Sequence, residues 1–312
     1  MEYRIGVDIG GTKIAAGLVN EEKEIVLKKS VPTRAGENYS LVVSDIADLI
    51  QDILDESHLQ AADLSGIGIG CAGASDKESG IVLFSNNLGW RDVPLVPELK
   101  KRFDVPIHID NDANAAALGE VLAGSAKGSR SCVMITLGTG VGGGIILDGK
   151  VYDGVNHAGG EVGHTVIVSG GEMCTCGRRG CFEAYASTTA LIRMAKKAAT
   201  AHPESRLYQI WQENGDLNGI GIFTAYHEND QTAKDAVAEY LFYVAEGVTN
   251  LVNIFQPEKI VIGGGICAQG DVILEPVRRQ LAQDVFCKEV SLPDVVQATL
   301  GNDAGIIGAA YV

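Results

Sequence analysis

Apolar residues fall into short strand-like runs separated by glycine-rich turns, with longer helical stripes between them. Residues 3–9 alternate and are β-rich, 14–19 and 25–30 read as further strands, and Gly10-Gly11-Thr12 turns the first into the second. The spacing of Leu41, Ile46, Leu49, Ile50, Ile53 and Leu54 predicts an amphipathic helix over 37–57. Residues 67–70 read as a buried strand that empties into the loop Cys71-Ala72-Gly73-Ala74. Residues 83–90 are polar in the middle and anchored by Trp90. A strand over 105–109 runs into a helix over 113–122, and strands over 133–137 and 143–147 flank Gly138-Thr139-Gly140. Helices follow over 187–201, 232–255, 274–285 and 300–312, with Ser187 or Thr188 capping the first. A strand over 258–262 ends at Gly263-Gly264-Gly265, and the polar stretch 202–230 reads as loop-rich.

One device occurs twice. Asp8-Ile9-Gly10-Gly11-Thr12 and Leu137-Gly138-Thr139-Gly140 each place a strand, a glycine–threonine tip and a returning strand in succession. Such tips offer bare amides and a hydroxyl to a phosphate, and Asp8 is placed to hold a hydrated Mg²⁺ through water. The repeat implies an α/β protein of two similar lobes facing each other across a cleft. The reading divides the chain into 1–115, joined by the terminal helix at 300–312, and 116–299.

Composition sharpens this. There are 39 glycines in 312 residues, well above the usual share of about 7%. Many backbone positions must therefore need positive φ or close approach. The net charge of −15 leaves no basic footprint for nucleic acid or anionic lipid, so any anionic ligand must be met locally. No run reaches the roughly 20 apolar residues of a membrane span. Met1 leads straight into a strand pattern without an apolar leader, and seven cysteines without one indicate a reducing cytoplasm. Cys71, Cys132, Cys267 and Cys287 are expected to be small buried hydrophobes.

The remaining cysteines carry chemistry. Nine residues separate His164 from Cys174, one separates Cys174 from Cys176 and four separate Cys176 from Cys181. Three thiols and an imidazole form the ligand set of a closed structural zinc site. A disulfide with a spare thiol is the competing reading, disfavoured without an oxidising context. Glu161 and Glu183 lie just outside the ligands and are expected to be free for another task. Asn86 and Asn87 suit sugar hydroxyls as well as they suit a turn. Asp110, Asn111 and Asp112 exceed what one helix cap needs, and a carboxylate there can act as a general base. The triple-glycine turn invites a flat ligand such as adenine.

These motifs resemble the ROK family of sugar kinases, within the actin/hexokinase/heat-shock ATPase fold. They are DIGGTK at 8–13, NDAN at 111–114, LGTGVGGG at 137–144, EVGH at 161–164, CTCGRRGCFEAYAS at 174–187 and IVIGGGI at 260–266. They run from end to end of the chain, and the Cys/Gly/Glu run is the family hallmark. The resemblance implies a duplicated ribonuclease-H-like fold. It implies Asp112 as the base taking the proton of a sugar 6-hydroxyl, and Asn87, Asn111, Glu161, His164 and Glu183 as hydroxyl contacts. His164 would place one ring nitrogen on zinc and the other on sugar. Gly10, Gly11, Thr12, Lys13, Gly138, Thr139 and Gly140 would cradle ATP phosphates, and Gly264 and Gly265 would lie against the nucleoside. In the loop Cys71–Ser75 many relatives carry a proline that this chain lacks. Gly73 still offers its backbone to the sugar, in a loop expected to be looser.

The reading is therefore an ATP- and Mg²⁺-dependent hexose 6-kinase, with glucose as first choice. Alternatives are an N-acetylglucosamine, N-acetylmannosamine or fructose kinase. A ROK-type regulator would carry a basic DNA-binding segment ahead of DIGGTK, for which seven residues leave no room. A catalytically dead sugar sensor fits poorly with Asp112 in place. The resemblance also suggests a homodimer.

Overall fold

The computed structural model of the protein describes residues 2–312. In chain order, strands β1 (Tyr3–Ile9), β2 (Lys13–Val19) and β3 (Ile25–Pro32) form a meander, followed by helix α1 (Tyr39–Ser57). Next come β4 (Leu64–Cys71), β5 (Ala74–Asp76), β6 (Ile81–Ser85), β7 (Trp90–Val93), α2 (Leu95–Leu99), β8 (Ile107–Asn111) and α3 (Asp112–Leu122). The repeat opens with β9 (Cys132–Leu137), β10 (Val141–Leu147) and β11 (Lys150–Val151). It continues with α4 (Glu183–Ala186), α5 (Thr188–Ala201), α6 (Arg206–Asn214), α7 (Gly219–His227) and α8 (Gln231–Phe255). The chain closes with β12 (Lys259–Gly263), α9 (Asp271–Asp284), β13 (Asp294–Gln297) and α10 (Asp303–Ala309).

The two large sheets have the same plan. One is ordered β3-β2-β1-β4-β8 and the other β11-β10-β9-β12-β13. In the first, β1 pairs antiparallel with β2 and parallel with β4, and β4 runs parallel to β8. In the second, β10 pairs antiparallel with β11, and β12 runs parallel to β13. This is the duplicated α/β architecture expected from the repeated tips. A small third sheet, β5-β6-β7, holds Trp90 with only 3% of its surface exposed.

The chain clusters into two compact units, Met1–Met134 with Gly144–Gly160 and Ala298–Val312, and Ile135–Gly143 with Glu161–Gln297. The sequence reading draws its boundary at 115/116, whereas all of α3 lies in the first unit. The physical reason is close helix packing. A β-carbon on Gly119 of α3 would stand 2.1 Å from the Ala304 carbonyl, and one on Gly308 of α10 would stand 1.7 Å from that of Ala115. The two helices touch backbone to backbone. Glu120, fully buried, fastens the same pair. Its carboxylate accepts the N–H groups of Ser125, Thr299 and Leu300.

The core of the first unit joins Ile5, Val7 and Ile9 of β1, Ile67 and Ile69 of β4, and Ile46, Ile50 and Ile53 of α1. Two expectations need correction. The stretch 202–230 is not mainly loop, since α6 and α7 fill most of it, capped by the side chains of Ser205 and Asn218. Each is nine residues with few buried positions, too short to show a clear stripe. Cys287 is only partly buried, unlike Cys71, Cys132 and Cys267.

Candidate active site and metal centre

In the first unit, the tip Gly10–Lys13 is braced from below. Gly10 N–H donates to the Lys13 carbonyl at 3.1 Å, and Thr33 donates its hydroxyl to the Gly10 carbonyl at 2.7 Å. The N–H groups of Gly11 and Thr12 donate to no protein acceptor among the described residues, as a phosphate cradle requires. Asn87 packs against this tip, since a β-carbon on Gly11 would lie 3.4 Å from that of Asn87.

The junction of β8 and α3 separates three neighbouring polar residues by task. Asn111 is the helix cap, its Oδ1 accepting the N–H groups of Ala113 at 2.8 Å and Asn114 at 3.3 Å. Its Nδ2 donates to the Gly73 carbonyl at 3.1 Å, so one amide hydrogen is left for a ligand. Asp110 is 3% exposed and pairs with Lys77 at 2.5 Å, while also accepting from Asn111 N–H and Asn114 Nδ2. Asp112, relieved of capping, is the first residue of α3 and accepts only from its neighbour Ala113 N–H. Burial raises its carboxyl above the usual range against the pull of that N–H. Asp8 is pushed up to about 6, by burial first and then by the charge of Asp112, with Lys13 opposing. Asp8, which feels the charge of Asp112 beside bare amides, suits a bound cation, and the buried Asp112 suits a proton acceptor.

Gly73 is fixed as glycine. Its φ is +114°, and a β-carbon would stand 2.1 Å from the Phe84 carbonyl. Together with the Asn111 bond this holds the Cys71–Ser75 loop at its middle residue, without the missing proline. Lys77 also pairs with Asp153, whose carboxylate holds His157 Nδ1 at 2.8 Å. Lys77 gives no signal in the sequence, where it is one lysine in a polar turn.

In the second unit, the tip Gly138–Gly140 is held from behind. Thr188 N–H donates to the Gly138 carbonyl at 2.7 Å, and the Thr189 hydroxyl to that of Thr139 at 2.8 Å. The N–H groups of Thr139 and Gly140 donate to no protein acceptor among the described residues. Sequence reading takes Thr188 only as an alternative cap and passes over Thr189. Ser187 is the cap, so both threonines face other work. Gly264, at φ +99°, lies against the end of β9, where a β-carbon would come 2.2 Å from the Leu137 carbonyl; Gly265 borders open space.

The zinc-spaced residues converge. His164 Nδ1 and the thiols of Cys174, Cys176 and Cys181 all lie within 4.8 Å of one another. The Cys174 sulfur is 3.6 Å from His164 Nδ1, and the Cys176 and Cys181 sulfurs are 3.7 Å apart. Tetrahedral zinc, with Zn–S of about 2.3 Å and Zn–N of about 2.0 Å, asks for a sulfur–nitrogen edge of about 3.5 Å and a sulfur–sulfur edge of about 3.8 Å. The donor set and its spacing fit that metal. All seven cysteines are free thiols. Burial pushes the Cys174 thiol up to about 12 and raises that of Cys181, while the Arg178 N–H lowers Cys176. With Nδ1 turned to the sulfurs, the Nε2 of His164 is left for another partner.

Glu161 is exposed, with no side-chain partner among the described residues. Glu183, expected to be free, is engaged. One oxygen accepts Val141 N–H at 3.1 Å and the other the Thr175 hydroxyl at 2.9 Å. A chain that must bring Cys181 to the sulfur cluster also brings Glu183, two residues on, up to the tip.

Comparison with known proteins shows the family of the chain. The model of the ROK family matches residues 4–312. The chain is 40% identical over 311 residues to a glucokinase of Halalkalibacterium halodurans, covering 99% of this chain and 94% of that one. A ROK family glucokinase from Streptomyces griseus, solved with glucose and AMPPNP, superposes with a TM-score of 0.81 at 36% identity, covering 99% and 98% of the two chains. A xylose repressor of Caldicellulosiruptor bescii is 34% identical over 304 residues, 97% of this chain and 76% of the repressor. The fold is accordingly the duplicated actin-like ATPase fold, and the chain belongs to the ROK family.

Proposed function

We propose that the protein is an ATP-dependent hexose 6-kinase whose preferred acceptor is glucose. The observation that carries this reading is Asp112, a carboxylate freed from capping by Asn111 and raised in pKa by burial. Phosphoryl transfer asks a protein mainly for position and charge neutralisation, and a base within hydrogen-bond reach adds about 10²–10⁴-fold. In this reading Asp112 accepts the 6-hydroxyl proton as the oxygen attacks the terminal phosphorus and the bond from that phosphorus to the β-phosphate oxygen breaks, releasing ADP; the helix start keeps the carboxylate fixed. Asn87, Asn111 and Gly73 hold sugar oxygens from the first unit's residues. Glu161, His164 through Nε2, and Glu183 are the hydroxyl contacts supplied by the second.

The bare amides of Gly11, Thr12, Thr139 and Gly140, with the Lys13 charge and the turns at Gly10 and Gly138, take the phosphates. Gly264 and Gly265 border the nucleoside. Mg²⁺, held through water by Asp8, supplies charge neutralisation when bound. Zinc on His164, Cys174, Cys176 and Cys181 supplies a structural node. The acidic net charge supports a protein without nucleic-acid partners, and no helix among the described residues is long and apolar enough to cross a membrane. A cytoplasmic homodimer completes the reading.

Because glucokinases and xylose repressors are both relatives, turnover decides. ADP release with ATP and Mg²⁺ is measured across glucose, N-acetylglucosamine, N-acetylmannosamine, mannose, fructose and allose. Strong turnover on glucose is expected. Turnover on another sugar alone would overturn the substrate, and tight sugar binding with no turnover would overturn the kinase.

A further inference from the structure

The residues behind the second tip form an unbroken path from the sulfur cluster. Thr175 stands between two of its ligands, Cys174 and Cys176, so its position is set by the cluster. Its hydroxyl donates to Glu183 Oε1 at 2.9 Å, an oxygen that the Cys174 thiol also meets at 3.4 Å; as a zinc-bound thiolate Cys174 has no proton to donate, which leaves Thr175 as the donor in the loaded protein. The other oxygen of that carboxylate accepts Val141 N–H at 3.1 Å, at the foot of the Gly138–Gly140 tip. Contact there is close: a β-carbon on Gly140 would lie 2.4 Å from Glu183 Oε2. The tip's own carbonyls are tied to the same stretch, Gly138 to Thr188 and Thr139 to Thr189. What faces away from these restraints is the pair of undonated N–H groups of Thr139 and Gly140.

We propose that Glu183, oriented by Thr175, links the sulfur-cluster metal site to the donor-phosphate tip, so that zinc loading and nucleotide binding favour each other. This rests on the reading of Gly138–Gly140 as a phosphate cradle. Thr175 is a positioning residue: it meets neither phosphate nor metal, and acts by holding one carboxylate oxygen while the other fixes Val141. A link of this kind is reciprocal, so nucleotide must tighten the hold on zinc by the factor that zinc tightens the hold on nucleotide. One hydrogen bond in the path is worth about a two- to tenfold effect.

The test uses the full-length, zinc-loaded protein without sugar. Affinity for the Mg²⁺ complex of a non-hydrolysable ATP analogue is measured by calorimetry. The rate of zinc transfer to a coloured chelator is then followed with and without saturating analogue. The analogue is expected to slow transfer about two- to tenfold in the parent and to lose that effect in Thr175→Val, while Thr175→Ser restores it. Zinc content by mass spectrometry establishes that each variant starts fully loaded. Analogue that binds but leaves zinc transfer unchanged in the parent overturns the link and spares the kinase reading. An equal slowing in Thr175→Val overturns the route through Thr175. Failure of the analogue to bind the zinc-loaded protein overturns the phosphate cradle and, with it, the link.

Discussion

Lys77 offers a sharp test of how the Asp110–Asp112 junction is held together. Its ammonium lies 2.5 Å from Asp110, whose side chain is 4% exposed, and it also pairs with Asp153. Lys77→Met would leave Asp110 charged and buried with only two donors, Asn111 N–H and Asn114 Nδ2. Removing one partner of a buried pair costs about 3–5 kcal/mol. Lys77 is itself 26% exposed and Asp110 keeps those two hydrogen bonds, which brings the expectation to about 2–3 kcal/mol.

Two tryptophans are present, so a Trp211→Phe background lets buried Trp90 report on the first unit during urea unfolding. Adding Asp110→Asn to Lys77→Met should recover more than half of the loss, because the more deeply buried charge is then gone and Asp153 keeps His157 as a partner. The signs of the pH dependence follow from the shifts. Burial alone would lower the Lys77 pKa, but its carboxylate partners outweigh it and raise it. Its contribution is therefore whole below about 10.4 and fades as pH rises past the folded value. Burial would raise the Asp153 pKa, but Lys77 and His157 lower it, so its share is whole above about 3.9 and fades in acid. A loss under about 0.5 kcal/mol, or no recovery in the double variant, would refute the reasoning.

Other expectations follow from the same geometry. The acid limb of kcat/KM should have its midpoint above about 3.9, the ordinary Asp value, because burial raises Asp112; a midpoint at or below that value would count against it as the base. Purified protein should carry one zinc per chain by mass spectrometry and release it as acid protonates the ligand thiols; a folded, active, zinc-free protein would refute the site. Gly73→Ala should destabilise the protein by about 1–3 kcal/mol and raise the sugar KM, since the β-carbon meets the Phe84 carbonyl at positive φ; unchanged stability and KM would show that the loop is not held as described.

Much of this was legible in the sequence where residue type and spacing carry the physics. The two tips, the His/Cys cluster and the strand-to-helix junction at Asp110–Asp112 all rest on local patterns, and the repeat announces the two-sheet plan, although the short edge strands β11 and β13 of the second sheet gave no strand signal. What escaped depends on distance in the fold. Asn111 rather than an acid serves as the cap because the backbone of α3 begins at Asp112. Glu183 is engaged because the path from Cys181 brings it to Val141. Lys77 reaches Asp110 from 33 positions away, and no periodicity reports that. The helices α6 and α7 were hidden by polar composition, since nine residues with a handful of buried positions leave little stripe to read.

The central claim is that Asp112 is the base of a hexose kinase, and Asp112→Asn tests it most directly when turnover and binding are read on one preparation. Glucose affinity by calorimetry should stay within a few-fold of the parent, while kcat for ADP release falls by about 10²–10⁴-fold. Near-normal turnover in a folded, sugar-binding Asp112→Asn protein would contradict the account.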